Sequence, residues 1–592
     1  MRLQLINKPD PSFTTVEQIL YNRGISQDLM RHYLNLSEDD ICDFLSLGIN
    51  PLREAATALV TTVKNSEDCV IIVDSDCDGM TSGALLINYL YELFPSWTSA
   101  HIHWLMHDGK QHGLNDHMST LRNSNYKLVI CPDSASNDYD CHSELKQLGI
   151  TTLVLDHHLA DKISKDAIII NNQLSNYPNK EASGVCVTWQ FCRYLDSLLS
   201  TDYADNYRDL VALGLDADMM SLRSFETRYL ILDGFKRSRI KNPFIDYMLD
   251  KNDFPLSKSD YVSSKEGQAC TSIGAAFFIV PFVNAVTRIG TAEEKELIFE
   301  SMLNHLAFQK IPEIKRNKLT GKEEYLVLQA VRVIGNVKNR QTREEIKGLE
   351  NLESKIQEYN MLEHGALVFL LKLGEVDPGV RGLIANKLMA KYQKPCIIMT
   401  DGGDTYDGSM RGYTKNGLDD FKALLEKCPG VRYVQGHSNA AGISIYKAQL
   451  DDFLTALDNK TAEYPSNPLY RIDYYFKEGI NLNSAPDKIL SIAAMNDFWG
   501  QDIDRAYVGI RCKITSNNLT VMKSNTLKIS LNNNLSLIKF NAIDDEIERL
   551  STQGWIEIDA YCKCNCNEWN GNSYPQLIIK DYEIIDSCKY MF

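Results

Sequence analysis

Residues 66–235 predict a doubly wound, mostly parallel α/β sheet, and three observations carry that expectation. Short apolar runs at 69–73, 127–131, 152–155, 167–170 and 210–215 alternate with helical segments, the pattern of strands joined by crossover helices. The acids and histidines of the region stand at the ends of those runs, where sheets of this kind bind ligands. A glycine, Gly79, separates the first acidic run from an apolar pattern of helical spacing. Around this domain the sequence predicts a helical cap at 1–65, a helical connector at 236–360, a second α/β domain at 361–462 and a strand-rich C-terminal barrel at 463–592.

The bulk properties fit that division. A chain of 592 residues exceeds one hydrophobic core. Apolar residues make up 44% and charged residues 24%, which excludes a disordered chain. The apolar stretch 274–286 contains Pro281 and Asn284 and is short for a bilayer, so no membrane association is expected. No apolar leader opens the chain, and fifteen scattered cysteines suit reduced thiols and a cytoplasmic location. A net charge of −16 argues against indiscriminate coating of nucleic acid, while leaving room for a local basic groove.

In the cap, apolar residues recur at helical spacing over 16–21, 29–34 and 52–63. The next domain opens on Val73-Asp74-Ser75-Asp76-Cys77-Asp78-Gly79. If the strand persists through it, Asp74, Asp76 and Asp78 share a side. Gly79 would then break the strand, and Thr81 or Ser82 would cap the following helix. Three carboxylates so gathered repel one another unless a cation neutralises them, which makes a divalent metal site the expectation. Asp133 follows the second strand, Asp156-His157-His158 the third and Asp218 the fifth. Singly, each has an ordinary explanation: a turn cap, a helix cap, polar surface, a loop acid rivalled by Asp216. Jointly, four strand ends supplying carboxylates and imidazoles fit a two-metal centre for Mn²⁺ or Mg²⁺, with Asp133 the candidate bridge.

The succession D-x-D-x-D-G-x-T-S at 74–82, Asp133, Asp156-His157-His158 and Gly214-Leu215-Asp216-Ala217-Asp218 resembles the four motifs of the DHH phosphoesterase superfamily. Within it the chain is similar to the RecJ family; Asn22-Arg23-Gly24-Ile25 and 278–288 add to the likeness. The resemblance implies a single-stranded-DNA-specific exonuclease of DNA repair, recombination and replication. Such an enzyme works 5′-to-3′, releases nucleoside 5′-monophosphates and uses two ions, Mn²⁺ or Mg²⁺. By position it makes Asp76, Asp78, Asp133, His157 and Asp218 metal ligands and puts Asp74 near the metals. It faces His158 to the scissile phosphate and brings Asn284 and Arg288 to the substrate. Two departures stand out. Ile72 occupies a position where many relatives carry a histidine, and His107 with Gln111-His112-Gly113-Leu114-Asn115 replaces an arginine followed by G-Y-G-L.

In the connector, Lys310, Lys315, Arg316, Lys318 and Lys322 gather around a single acid, Glu313, reading as a solvated loop or as a patch tracking a nucleic-acid backbone. In the second α/β domain, apolar strands surround two glycine-rich turns, 407–412 and 435–442. Their glycines admit an anion to the backbone. These segments resemble the G-S-x-R and G-G-H-x-x-A-A-G motifs of the DHHA1 domain, with Gln435 in place of the first glycine of the latter. The resemblance makes Ser409, Arg411, Gly436 and His437 substrate-binding residues that hold the 5′ end. The C-terminal strands suggest a small barrel, and the segment 567–581 resembles the oligonucleotide-binding (OB) barrel of RecJ. Trp569, Lys528 and Lys539 are available there for stacking or phosphate contact, with a core role for the tryptophan equally open. Cys562, Cys564 and Cys566 alternate along one strand but lack a completing pair or histidine, so free thiols are expected.

Three functions follow. The first is a single-strand DNA exonuclease, with a helicase or single-strand-binding protein as the kind of partner it implies. The second is a DHH-type oligoribonuclease or cyclic-dinucleotide phosphodiesterase, against which the C-terminal barrel argues. The third is a replication scaffold that has lost its metals, against which the retained acids and histidines argue.

Overall fold

The structure, a computed structural model, describes residues 1–109, 111–251, 267–315, 318–464, 468–531, 534–550 and 554–588. They form two compact units. One comprises Arg23–Lys338 and Met495–Arg505; the other comprises Met1–Asn22, Asn339–Ala494 and Ala506–Phe592. The chain opens with β1 (Arg2–Leu5), followed by α1 (Thr15–Asn22), α2 (Gln27–Tyr33) and α3 (Ile49–Lys64). The three helices coincide with the three spacings marked by the sequence.

The unit containing residues 23–338 is built on β2 (Cys69–Val73), β3 (Ile102–Met106), β4 (Leu128–Pro132), β5 (Thr151–Asp156) and β6 (Ile168–Asn171). They form an all-parallel sheet in the order β3-β2-β4-β5-β6. Every residue of β2 and β4 is buried, as strands covered on both faces must be. From β2 the chain passes outward to β3 and returns to β4 on the other side of β2. The strand order therefore reverses at the carboxyl ends of β2 and β4, which opens a crevice there.

Three local expectations are corrected. Residues 210–215 are not a strand but lie in the helix Arg208–Ala217, buried from Arg208 to Asp216; a short run buried on all sides lacks the periodicity that separates helix from strand. The strand that completes the sheet is β3, whose His103 and Trp104 interrupt the apolar pattern. The first acidic run does not continue the strand either. β2 ends at Val73 and α4 begins at Cys77 (Cys77–Leu93), capped by Asp76 rather than by Thr81 or Ser82. The Asp76 carboxylate accepts from the Gly79 N–H at 3.0 Å, ahead of the apolar pattern from which the cap position was inferred.

The apolar stretch around Pro281 forms two successive helices, Ser272–Phe278 and Val280–Ile289. Within the region expected to be helical, β7 (Lys310–Lys315) and β8 (Lys318–Tyr325) form an exposed antiparallel hairpin. The basic patch is therefore on a hairpin, where Lys315 pairs with Glu313 at 2.5 Å; Arg316 lies outside the described residues. The expected long helix is present as Leu326–Glu358.

In the other unit, β9 (Leu367–Leu371), β10 (Cys396–Asp401), β11 (Thr405–Arg411), β12 (Val431–His437) and β13 (Ala440–Tyr446) form a sheet in the order β12-β13-β11-β10-β9. The glycine-rich segments expected as turns are mostly strand: β11 holds 405–411, and β12 and β13 hold most of 435–442. Their glycines serve close approach between strands. A Cβ on Gly408 would overlap the Ile398 carbonyl of β10, whereas one on Gly442 meets nothing nearer than 3.8 Å. β14 (Leu469–Ile472) pairs with β1 in parallel. The remaining strands are β15 (Tyr474–Lys477), β16 (Tyr507–Thr515), β17 (Leu519–Met522), β18 (Thr526–Ser530), β19 (Ser536–Lys539), β20 (Trp555–Trp569) and β21 (Asn572–Cys588). They make one seven-stranded sheet in the order β15-β16-β20-β21-β19-β18-β17. Trp569 is 67% exposed near the β20–β21 turn, so it is no core residue. None of the fifteen cysteines is in a disulfide.

Gly408→Val should destabilise the unit holding β11 by about 3 kcal/mol, since overpacking against backbone has no side chain to yield. Gly442→Ala should leave its calorimetric transition in place. Equal shifts in the two variants would contradict the close β10–β11 approach.

Candidate metal centre

At the reversal point the chain delivers acids from successive elements. Asp74 leaves β2, Asp76 caps α4 and Asp78 sits in its first turn. Asp133 follows β4 with φ of +65°, a left-handed conformation held by its N–H donating to the Leu155 carbonyl at 2.8 Å. Asp156 closes β5, His157 and His158 follow, and Asp218 stands at the C-cap of the helix Arg208–Ala217. Their donor atoms converge in overlapping sets whose members all lie within 4.8 Å of one another: Asp74, Asp76 and Asp133; Asp78, His157 and Asp218; and Asp133 with Asp156, His157 and His158. The His157 Nε2 stands 3.3 Å from both Asp133 Oδ1 and Asp218 Oδ2.

Three glycines make the room. A Cβ on Gly79 would meet Asp74, one on Gly184 would meet Asp133, and one on Gly214 would meet the Asp78 carboxylate. Asp78 is anchored by the start of the helix Gly184–Leu199, accepting from Ser183 Oγ at 3.0 Å, Gly184 N at 2.7 Å and Val185 N at 3.3 Å. Asp156 is the best satisfied acid. Its Oδ1 accepts from the His157 N–H at 2.7 Å, the His158 N–H at 3.2 Å and His158 Nδ1 at 2.8 Å, and its Oδ2 accepts from the Ser136 N–H at 3.1 Å.

The electrostatics separate these roles. Burial, reinforced by Asp76, raises Asp78 to about 6. Burial and the charges of Asp78 and Asp76 raise Asp218 to about 8. Asp133 is raised well above the carboxylate range, driven by burial and then by Asp78, Asp76, Asp74 and Asp218. Burial also pushes on Asp156, but the hydrogen bond and charge of His158 hold it below its ordinary value. His158, although burial opposes its charge, is raised to about 9 by Asp156. Burial and the neighbouring His158 lower His157 to about 4, which leaves a neutral imidazole. Asp74 Oδ1, Asp133 Oδ1 and His157 Nε2 are buried without a hydrogen-bond partner. Crowded carboxylate oxygens, a neutral imidazole and orphaned donor atoms fit divalent cations.

The structure adds a residue that the motifs did not mark as functional. His112 Nδ1 stands 2.5 Å from Asp74 Oδ2. His112 and His158 thus form two parallel arrangements: each imidazole is held through Nδ1 by a buried carboxylate, and their side chains are 56% and 53% exposed. The sequence signal was the departure at 111–115. Ile72 packs into the core with Leu114, Met118 and Cys131, so the Asp74 side of the centre receives its imidazole from the loop after β3. His107 is buried, 3.7 Å from Asp74 Oδ1, and is lowered to about 4 by burial and His117; it brings no positive charge in place of the expected arginine.

Arg288, half-buried on the helix Val280–Ile289, is brought into the field of Asp76, while burial lowers its pKa. Asn284, one turn earlier, has a buried side-chain amide oxygen without a partner. Ser409, Arg411, Gly436 and His437 belong to the other unit. There Ser409 and Arg411 lie at i and i+2 of β11, so they share a face, and Gly436 adopts φ of +132° beside the exposed His437. Arg381, which carries no motif, donates to the Asp407 carbonyl at 2.8 Å and to Thr400 Oγ1 at 3.0 Å.

Three family models match the chain in succession: the DHH family N-terminal domain over residues 68–215, the DHHA1 domain over 366–463 and the RecJ OB domain over 482–581. The chain thus carries the DHH, DHHA1 and RecJ OB domains in that order. Among relatives of this RecJ-like chain is YorK, an SPbeta prophage-derived protein of Bacillus subtilis (strain 168) provisionally named a single-strand DNA-specific exonuclease. The two are 29% identical over 99% of this chain and 98% of YorK. The single-stranded-DNA-specific exonuclease RecJ of the same organism is 25% identical over 96% of this chain and 67% of its own length. The fold agrees with the crystal structure of RecJ from Thermus thermophilus in complex with Mn²⁺, at a TM-score of 0.69 and 18% identity, covering 99% of this chain and 80% of that one.

Raised acids bind protons that a cation must displace. Calorimetric Mn²⁺ titrations at pH 7, in buffers of different ionisation enthalpy, should therefore show proton release, with Asp133 and Asp218 as donors. The sign for stability follows. An acid raised in the folded state weakens that state as pH climbs from its unfolded value to its folded one. In EDTA, stability should thus fall between about pH 4 and pH 8, and saturating Mn²⁺ should remove the decline. A flat profile in EDTA would rule out the crowded centre.

Proposed function

We propose that the chain is a metal-dependent exonuclease that hydrolyses phosphodiesters at the 5′ end of single-stranded DNA and releases nucleoside 5′-monophosphates. The observation that supports it most is the convergence of eight Asp and His side chains, with buried orphaned donors, at the crevice of the parallel sheet. Relatives named as single-strand DNA-specific exonucleases align along nearly the whole chain.

In this reading Asp76, Asp78, Asp133, His157 and Asp218 would hold two Mn²⁺ or Mg²⁺ ions, with Asp74 beside them. The ions would supply acidity to an attacking water and compensation for phosphate charge. The remaining work falls to side chains. His158, charged at neutral pH and held by Asp156, presents Nε2–H to a non-bridging phosphate oxygen. His112, held the same way by Asp74, orients a second imidazole toward the same substrate. Arg288 adds positive charge on the Asp76 side, and Asn284 adds a polar contact. Ser409, Arg411, Gly436 and His437 offer donors and a close backbone approach for the terminal phosphate. In the C-terminal sheet, Lys528 and the exposed Trp569 line a cavity of about 530 Å³, suited to stacking a base and pairing a phosphate farther along the strand. A helicase or single-strand-binding protein would keep such a substrate open, and the cytosol is the expected compartment.

On 5′-phosphorylated single strands with Mn²⁺, Asp133→Ala should reduce mononucleotide release below detection while the protein keeps its circular dichroism. His158→Ala should cost about 10²–10³-fold in kcat and His112→Ala about 10–100-fold. Wild-type rates that favour dinucleotides over long strands would replace this reading with the phosphodiesterase.

A further inference from the structure

A second cavity, in the same unit as the metal centre, has a different chemistry. Its volume is about 530 Å³, and its lining includes Tyr91, Trp104, Tyr126, Glu296, Glu300 and His305. It opens beside residues 102–104 of β3, an edge strand of the parallel sheet, at the end of the strand opposite the acids. None of the residues placed in the metal centre lines it.

The walls are aromatic. Tyr91 and His305 stack at 3.8 Å between ring centroids, and Trp104 packs on Phe299 at 5.9 Å. Trp104 donates its indole N–H to Glu296 at 2.7 Å, which fixes both the ring plane and the carboxylate. Glu296 and Glu300 are one helical turn apart on the helix Ala292–Ser301. Among the described residues no lysine or arginine lines the cavity, and neither glutamate has an ion-pair partner. Burial and the neighbouring Glu296 raise Glu300, as expected of an acid without a counter-charge.

Two acids among aromatic faces favour a cation that is also flat. A guanidinium meets both demands: it stacks on rings, sheds water more easily than an ammonium and donates in a fork to carboxylates. The edge strand adds a reason for the cation to arrive on a peptide, since its backbone beside the cavity can pair with an extended segment. We propose that this cavity is a docking site for an arginine side chain of a partner protein, with Glu296 and Glu300 as counter-charges and Trp104 as the stacking surface. The site is separate from the nuclease chemistry, so a partner bound there would leave the metal centre open.

The test uses the full chain labelled with 5-fluorotryptophan, with the Trp104 resonance assigned through Trp104→Phe. The probes are Ac-Gly-Arg-Gly-NH₂, the same tripeptide with citrulline for arginine, and spermidine. The arginine peptide should shift the Trp104 signal saturably. Glu300→Gln should weaken that binding roughly fivefold to tenfold while leaving nuclease turnover and the melting temperature unchanged. No shift, an equal shift with the citrulline peptide, or an affinity unaffected by Glu300→Gln would overturn the proposal. Binding of spermidine without the arginine peptide would also overturn it, by making the cavity a polyamine site.

Discussion

Mutual repulsion of buried carboxylates is the constraint on which this structure turns. Asp74, Asp78, Asp133 and Asp156 are all but sealed from solvent at one end of a parallel sheet. The fold holds them there because Asp78 is tethered to the start of one helix and Asp156 gathers four donors. Asp133, with Oδ1 buried and unpartnered, is pushed well above its ordinary value by burial and by its acidic neighbours. A site of this kind stores unfavourable energy in the protein alone and releases it when positive charge enters.

The same constraint accounts for the histidines. Each of the two exposed imidazoles is braced by a buried acid, Asp156 under His158 and Asp74 under His112. His157, facing the oxygens of Asp133 and Asp218, is left neutral, the state in which an imidazole can bind a cation. His157, His158 and His112 thus divide into one suited to hold cations and two suited to face an anion.

Much of this was legible in the residues. β2, β4 and β5 are continuous apolar runs that end on acids, and a buried parallel strand has few other ways to look. The metal-binding candidates were legible for the same reason: acids at strand ends are conspicuous against apolar neighbours. What escaped has physical causes. The helix Arg208–Ala217 is buried on all sides, so its apolar stretch carries no period to read. β3 lies at an edge, where His103 and Trp104 are tolerated. The glycine-rich segments of the second unit look like turns because glycine usually means one, yet Gly408 serves strand-to-strand contact. His112 could not be assigned from its own spacing, since its role depends on a loop folding back over Asp74.

The anchoring of Asp78 by residues 183–185 has a consequence for how the protein comes into being. A ribosome synthesising this chain has made the first acidic run long before Ser183, Gly184 and Val185 exist, and Asp218 later still. The crevice cannot be preformed by local structure. Its geometry is a product of distant segments docking, the slow class of contacts in folding. A nascent chain therefore carries its first acids through the synthesis of residues 79–218 without the cage that makes them a centre.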